Sequence, residues 1–388
     1  MAQQNAFRDP APAESATKAL PANRGISNEL SRKLTAVSFF SACCIVLLHA
    51  NPYTPAASKA TDTAICFLSV VMTSYAVPMF FALSGYLIAK KTDSGRSAGW
   101  YLPVLGKRCR SLLVPYLAWC TVFGVLFVPV KMLGNRLLGK PLLEHTALTP
   151  PLFSFDNLAC VYGLYLSEYP ALRVLWYIRN LILLCLLTPV LFPVMRRRET
   201  GLLFLGLVGT LYLLFSALYP FFYGPGFNLQ GFLFFPIGIY LANYPVDPNA
   251  FRVFRKALPF AWFFFAILTT WAFRFSGLPF DVSRAFLSAC VITGAGAVWV
   301  LYDMIPAFRR LGELRVSKDS FFLYASHLLI IDVITGSQMQ NLLKFKLHVP
   351  ELGVYFLRFL IPLVLSLLTA ELMKRFMPWL YRILTGGR

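Results

Sequence analysis

Long apolar stretches recur along most of the chain, and their lengths limit the folds that it can adopt. A helix of about 20 apolar residues crosses the hydrocarbon core of a bilayer. Because 57% of the 388 residues are hydrophobic and only 14% are charged, a soluble fold could not bury them all. The sequence therefore predicts an all-α protein, a polytopic transmembrane helical bundle of about ten spans. The predicted spans lie near 34–50, 64–89, 111–133, 175–195, 201–219, 228–243, 257–273, 285–302, 321–336 and 352–373.

Lysine and arginine are unevenly distributed among the segments that connect these spans. With the N-terminus in the cytoplasm, most of the 36 Lys and Arg residues fall on the cytoplasmic side, as the positive-inside rule requires. An even number of spans then places both termini in the cytoplasm. The same rule accounts for the net charge of +19 without nucleic acid as a partner, and the expected surroundings are membrane lipids.

The N-terminal 30 residues differ in composition from the rest of the chain. Residues 1–30 are rich in Ala, Pro and polar residues and lack the apolar core of a signal peptide. We predict a disordered cytoplasmic tail there and a single transmembrane domain over residues 31–388. The eight cysteines show no metal-type spacing, so we interpret them as free thiols and expect no metal site.

A histidine ends the first apolar span, in the stretch FFSACCIVLLHANPYTP of residues 39–55. A polar side chain in a span is costly unless it is paired or faces a wet cavity. His49 is therefore either an interfacial histidine or a functional group, and the predicted orientation places it toward the outer face.

The fourth predicted span begins with a second polar group, on the same predicted side as His49. Arg179 and Asn180 follow Trp176 and Tyr177. The two aromatic residues also fit an interfacial belt, and Arg179 can extend toward the headgroups. A guanidinium and an imidazole at one mouth of the bundle would suit an anionic or hydroxyl-bearing ligand.

The second span and the segment after it carry small and basic residues. Ser84 and Gly85 lie in VPMFFALSGYLIAKK, residues 77–91, where small residues serve either close helix packing or binding. A basic cluster at the predicted cytoplasmic surface fits either ordinary positive-inside charge and lipid contact or a site for a phosphorylated donor. This cluster consists of Lys107, Arg108 and Arg110.

The ninth predicted span carries a second buried histidine. His327 lies in DSFFLYASHLLIIDVITG, residues 319–336, with Asp332 five residues later and thus off its helical face. A histidine at this depth faces the bundle interior, where it either bonds helices together or binds substrate. We assign no role to His145 and His348.

Five segments, in order, resemble the integral-membrane acyltransferase family 3 over nearly the whole chain. They are IVLLHA, VPMFFALSGYLIAKK, KRCRSLLVPYLAW, LWYIRNLILLCLLTPVL and FFLYASHLLI. The resemblance implies a helical bundle in the bacterial cytoplasmic (inner) membrane. It also implies transfer of an acyl group, often acetyl, from cytoplasmic acyl-CoA to a hydroxyl of an envelope or exported glycan or a lipid-linked sugar. His49 matches the leading catalytic residue of the family.

One position departs from the family pattern. Many members carry an arginine eleven residues before the histidine, where this chain has Ser38. The arginine is either absent here or supplied by Arg32, Lys33 or another helix.

The residues and the resemblance together lead to a mechanistic hypothesis. His49 deprotonates the acceptor hydroxyl or carries the acyl group transiently, and Arg179 orients the acceptor or stabilises an oxyanion. Acetyl-CoA or another acyl-CoA serves as donor substrate, with no permanently bound cofactor. The basic cluster Lys107, Arg108 and Arg110 holds the CoA phosphates, and the predicted substrate-binding residues are Trp176, Tyr177, Asn180, Ser84, Gly85 and His327.

Two other functions fit the same features. One is a transporter or flippase of a lipid-linked sugar, which would use the basic and aromatic residues for binding alone. The absence of an evident inverted repeat counts against it. The other is a membrane partner protein without activity, for which the serine at Ser38 is the main argument.

Overall fold

The computed structural model describes residues 26–51, 58–92, 99–144, 146–214, 228–244, 250–334 and 337–387. Within these ranges the chain is all-helical, without a β-strand. The predicted tail lies mostly outside the described residues, and the first helix begins at Asn28 with Ser27 as its N-cap.

Eighteen α-helices are present in the described ranges. They are α1 Asn28–His49, α2 Lys59–Ile65, α3 Ala76–Lys91, α4 Tyr101–Arg108, α5 Val114–Val122, α6 Val128–Leu137, α7 Phe155–Tyr162, α8 Trp176–Leu186, α9 Thr188–Arg196, α10 Arg198–Leu214, α11 Leu229–Asn243, α12 Ala250–Arg274, α13 Phe280–Met304, α14 Pro306–Leu311, α15 Ser320–Ile334, α16 Ser337–Asn341, α17 Glu351–Phe376 and α18 Pro378–Thr385. Four π-helical segments, Cys66–Val71, Cys109–Leu113, Phe123–Phe127 and Leu342–Lys346, and two 3₁₀ segments, Arg173–Leu175 and Arg315–Asp319, connect some of them.

Six helical stretches of the described chain are long and apolar enough to cross a membrane. They are Asn28–His49, Lys59–Lys91, Tyr101–Leu137, Phe254–Arg274, Val282–Met304 and Glu351–Phe376. Two bent helix pairs raise the number to eight if each is one span: Arg173–Leu186 with Thr188–Arg196, bent by 66°, and Arg315–Ile334 with Met339–Lys346, bent by 63°. Of the two other predicted spans, 228–243 coincides with the shorter apolar helix Leu229–Asn243, and 201–219 extends beyond the described residues.

Two glycines set the closest helix crossing of the bundle, between α3 and α11. A Cβ on Gly85 would overlap the carbonyl oxygen of Phe235, and a Cβ on Gly238 would overlap that of Ala82. Both obstacles are backbone atoms, which cannot rotate away as a side chain would. The two helices therefore approach with their backbones in contact, as small residues permit in membrane bundles.

We expect Gly238→Ala to lower the free energy of unfolding by about 3 kcal/mol, because the added methyl forces α3 and α11 apart. The change is measured as a lower midpoint of thermal unfolding in detergent. Gly206→Ala on α10 is the matched control, since nothing lies within 4 Å of its Cβ position, and it should leave the midpoint unchanged or slightly raised. Equal midpoints for the two variants would contradict the close crossing.

Ion pairs join the helix ends on the side of the bundle where α1 begins. Lys33 contacts Asp303 at 2.7 Å and Arg32 contacts Glu313 at 3.2 Å. Lys33 lies 16 residues before His49, which is about 24 Å along a helix axis. Both cations are engaged in ion pairs at this end of α1.

The C-terminal helix braces the same side of the bundle. The buried carboxylate of Asp319 accepts hydrogen bonds from Lys374 at 2.6 Å and from Tyr381 at 2.5 Å. Farther along α18, the carbonyl of Leu384 accepts a hydrogen bond of 2.9 Å from the indole of Trp119 on α5. The helix α18 thus connects the start of α15 to α5.

Candidate active site

His49 is the last residue of α1, and the end of this helix is held by an arginine from another span. Asn51 precedes a proline in the sequence, which disfavours continuation of the helix. Arg358 of α17 is 1% exposed, and its Nε donates to the carbonyl of Ala50 at 3.1 Å. The cation thereby satisfies a carbonyl at the negative end of the α1 dipole.

This contact also fixes the depth of His49 within the bundle. Arg358 lies seven residues after Glu351, the first residue of α17, or about 10 Å along that helix. The half-buried His49 therefore lies inside the bundle, deeper than Glu351 at the start of α17. Sequence reasoning left Arg358 without a role, although an arginine in an apolar span is itself a signal of function.

His327 of α15 lies directly beside His49. The two ring centroids are 5.3 Å apart, and His327 is completely buried. Its Nδ1 lies 2.8 Å from the carbonyl oxygen of Tyr324 and 3.2 Å from that of Leu323. Because carbonyl oxygens only accept, Nδ1 must carry the hydrogen in the neutral ring. Two imidazoles from different spans thus share one buried site.

A row of contacts leads from these histidines to the middle of α3. The ring of His327 lies 6.4 Å from that of Tyr324, which lies 5.7 Å from that of Tyr177 on α8. The hydroxyl of Tyr177 lies 3.2 Å from that of Ser84. We call Ser84, Tyr177, Tyr324, His327 and His49 the polar ladder. Four of its five members are predicted site residues, and they come from four separate helices.

The predicted catalytic residue Arg179 has a structural task in this arrangement. Its guanidinium is buried and donates to the carbonyls of Gly163 at 2.8 Å, Tyr165 at 3.0 Å and Glu168 at 2.6 Å. It therefore holds the loop between α7 and α8 in place. Asn180, predicted beside it, is buried and donates to the carbonyl of Trp176 at 3.0 Å.

Arg173, which precedes α8, is exposed. Its guanidinium stacks over the ring of Tyr169 at 5.3 Å. Sequence reasoning counted Arg173 only as a loop charge. It is the first residue of the 3₁₀ turn Arg173–Leu175.

The two arginines should differ sharply in their effect on stability. Arg179→Gln should lower the free energy of unfolding by about 3 kcal/mol, because it leaves buried carbonyls without their charged donor. Arg173→Gln removes an exposed charge and should change it by less than about 0.5 kcal/mol. Thermal unfolding of both variants in detergent measures the contrast, and a stable Arg179→Gln protein would refute the structural assignment.

The predicted basic cluster Lys107, Arg108 and Arg110 lies on α4 and the π-helical segment that follows it. Lys107 and Arg110 are exposed and Arg108 is half-buried. No carboxylate of the described residues pairs with the three cations, so their charge is available to a ligand. The end of α18 packs against this segment as well, because a Cβ on Gly386 would lie 2.5 Å from the carbonyl oxygen of Ser111.

The remaining predicted residues lie outside the ladder. Gly85 packs against the backbone of Phe235, and this contact leaves no space for a ligand beside it. Trp176 is half-buried, with its ring 6.4 Å from that of Phe81. His348 is exposed, and His145 lies outside the described residues. In the described part of the chain, no three His, Cys, Asp or Glu side chains are arranged to hold a metal ion.

Comparison with known proteins gives one match. The family model for acyltransferase family 3, described as an acyltransferase domain, matches residues 34–371. No curated protein and no solved structure matches the chain significantly. The matched range includes all five residues of the polar ladder and the basic cluster.

Proposed function

Because the chain belongs to the membrane acyltransferase family 3, we propose that it is an O-acyltransferase that moves an acyl group, most simply acetyl, from acyl-CoA to a hydroxyl of an envelope or exported glycan. The protein is an integral membrane acyltransferase with apolar helices that cross the bilayer. The observation that carries the finer proposal is the paired histidines inside the bundle, joined by the polar ladder to the middle of α3.

The donor binds on the side of the bundle where α1 begins. In the proposed topology of ten spans with both termini in the cytoplasm, this side is the cytoplasmic one, as the positive-inside rule favours. Arg108 and Arg110 offer planar guanidinium groups to the phosphates of CoA, and Lys107 offers an ammonium. The bacterial cytoplasmic membrane provides this arrangement, with acyl-CoA on one side and growing surface glycans on the other.

In this proposal the acyl group passes along the polar ladder, from the donor side toward the histidines. Ser84 lies seven residues before Lys91, where α3 ends on the donor side. The thioester arm would extend past Ser84, Tyr177 and Tyr324 to the histidines. Because His49 and His327 lie within the bundle, the thioester has to reach only the histidines and not the opposite surface of the membrane.

The reaction takes place at His49, with the acceptor entering from the opposite side. Neutral imidazole is the usual general base near pH 7, and it also serves as a transient acyl carrier. Arg173 contributes a cation beside the acceptor, for an anionic sugar or for the developing oxyanion. Arg358 holds the end of α1, and this contact keeps His49 in position for the acyl group and the acceptor.

Labelled acetyl-CoA tests this function directly. Membranes from a host that lacks the gene are compared with membranes that contain the protein, and label is followed into base-labile esters on carbohydrate. Label on glycan only in the presence of the protein supports the proposal. Transport of an unlabelled lipid-linked sugar, with no ester formed, would favour the transporter instead.

A further inference from the structure

The buried histidine His327 has one nitrogen that the fold uses and one that it does not. Its Nδ1 hydrogen is shared between the carbonyls of Leu323 and Tyr324. Its Nε2 is fully buried and has no hydrogen-bond partner among the described residues. An acceptor buried without a partner costs about 1–3 kcal/mol. A histidine kept only to bond helices together would use both nitrogens.

Two other polar side chains near His327 are already engaged. The hydroxyl of Ser326 donates to the carbonyl of Phe322 at 2.8 Å and lies 3.0 Å from the hydroxyl of Ser366. The hydroxyl of Tyr324 donates to the carbonyl of Val174. The ring of His49 lies 5.3 Å away between centroids, and an imidazole can both accept and donate a proton.

We propose that Nε2 of His327 is the proton acceptor for His49, so that two histidines share the acid–base work of acyl transfer. This inference rests on the proposed function and adds a second catalytic group to it. The Nδ1 hydrogen bonds fix the tautomer that leaves the lone pair on Nε2. The centroid separation places the two rings within reach of a hydrogen bond or of one bridging water.

The proton balance closes for direct transfer. The acceptor hydroxyl gives its proton to one nitrogen of His49, and the hydrogen on the other nitrogen passes to Nε2 of His327. The acceptor oxygen forms its bond to the acyl carbon while the carbon–sulfur bond breaks. The leaving thiolate then takes the proton from His327, and both imidazoles return to their neutral forms.

The same balance closes if His49 carries the acyl group. As the nitrogen of His49 attacks the thioester and thiolate leaves, the other ring hydrogen passes to His327 and from there to the thiolate. The acceptor hydroxyl then gives its proton to His327 as its oxygen attacks the acyl carbon. That proton returns to His49 when the carbon–nitrogen bond breaks.

Asparagine at position 327 separates this role from a structural one. The amide nitrogen of asparagine takes the place of Nδ1 and still donates to Leu323 and Tyr324, but nothing replaces Nε2. We expect His327→Asn in the full-length protein in nanodiscs to elute as folded protein and to bind acetyl-CoA within threefold of wild type. Its kcat for transfer of labelled acetyl to glycan should fall by about 10²–10³-fold. His348→Asn, an exposed histidine, is the matched control and should keep wild-type kcat.

Chemical rescue gives a second measurement that packing alone would not change. His327→Ala leaves a space into which free imidazole fits, and added imidazole should restore its rate at least about tenfold. His327→Gln replaces the asparagine variant if the latter does not fold. Three results would overturn the inference: wild-type kcat in His327→Asn, a loss of acetyl-CoA binding that matches its loss of kcat, or no rescue of His327→Ala by imidazole. In each case, transfer by the wild-type protein leaves the proposed function intact. Wild-type protein that transfers no label would overturn both.

Discussion

Replacing His49 with alanine is expected to lower kcat for acyl transfer by about 10³-fold while acyl-CoA binding stays within threefold of wild type. General acid–base catalysis contributes about 10²–10⁴-fold in enzymes, and His49 is the group nearest the proposed meeting point of donor and acceptor. The basic cluster proposed to hold the donor is on the other side of the bundle, so the substitution leaves it intact. Initial rates with labelled acetyl-CoA and equilibrium binding of CoA to the purified protein measure the two quantities.

The His49→Ala result needs a control for folding, since His49 ends a helix that packs in the core. The carbonyl of Ala50 that Arg358 binds belongs to the backbone and is still present in the variant. The midpoint of thermal unfolding should therefore remain within a few degrees of wild type. A variant with wild-type kcat would remove His49 from the mechanism.

Neutralising the basic cluster should have the second largest effect, on KM. We expect the triple substitution of Lys107, Arg108 and Arg110 by glutamine to raise KM for acetyl-CoA by about 100-fold and to change kcat little. Charge-assisted hydrogen bonds contribute about 1.5–3 kcal/mol each, and solvent at this exposed surface reduces the sum to about 3 kcal/mol. A loss of about 2.7 kcal/mol corresponds to a factor of 100.

A second basic stretch on the same side provides the control. Arg197 lies between α9 and α10, Arg198 is the first residue of α10, and both are exposed. Their replacement by glutamine removes two positive charges and should leave KM within about twofold. If both sets of substitutions raise KM equally, general surface charge rather than a defined donor site attracts the CoA.

Much of the polar ladder could be predicted from the sequence because polar groups are costly in lipid. His49 and His327 are predicted as polar groups in apolar spans, Ser84 as a small residue and Tyr177 as an aromatic one, and the structure brings the four together. The physical reason is that such groups turn away from lipid toward the bundle interior. Residues in different spans therefore converge even when no periodicity links them.

The roles of the arginines could not be predicted in the same way. Arg179, predicted to act in catalysis, binds three loop carbonyls, while Arg358 binds the carbonyl of Ala50 next to His49. The hydrogen-bond partner of a long flexible side chain depends on which loop or helix end packs beside it. That packing is set by the tertiary fold.

The number of spans shows the limit of a rule based on length. Six stretches satisfy the rule, and the two bent pairs satisfy it only when their halves are joined. In the first pair Pro189 follows the break between α8 and α9, where proline removes a backbone donor and its ring bends the chain. Hydropathy detects the apolar run of 175–195 but not the 66° bend within it.

The measurement that tests the account most directly uses sealed membrane vesicles of opposite orientation. Acetyl-CoA does not cross a bilayer, and in the proposed topology the basic cluster that binds it lies on the cytoplasmic face. The account predicts that inside-out vesicles containing the protein transfer labelled acetyl to glycan hydroxyls, and that right-side-out vesicles do so only after permeabilisation. Equal labelling of both sealed preparations, or no glycan ester in either, would contradict transfer across the bundle from a cytoplasmic donor.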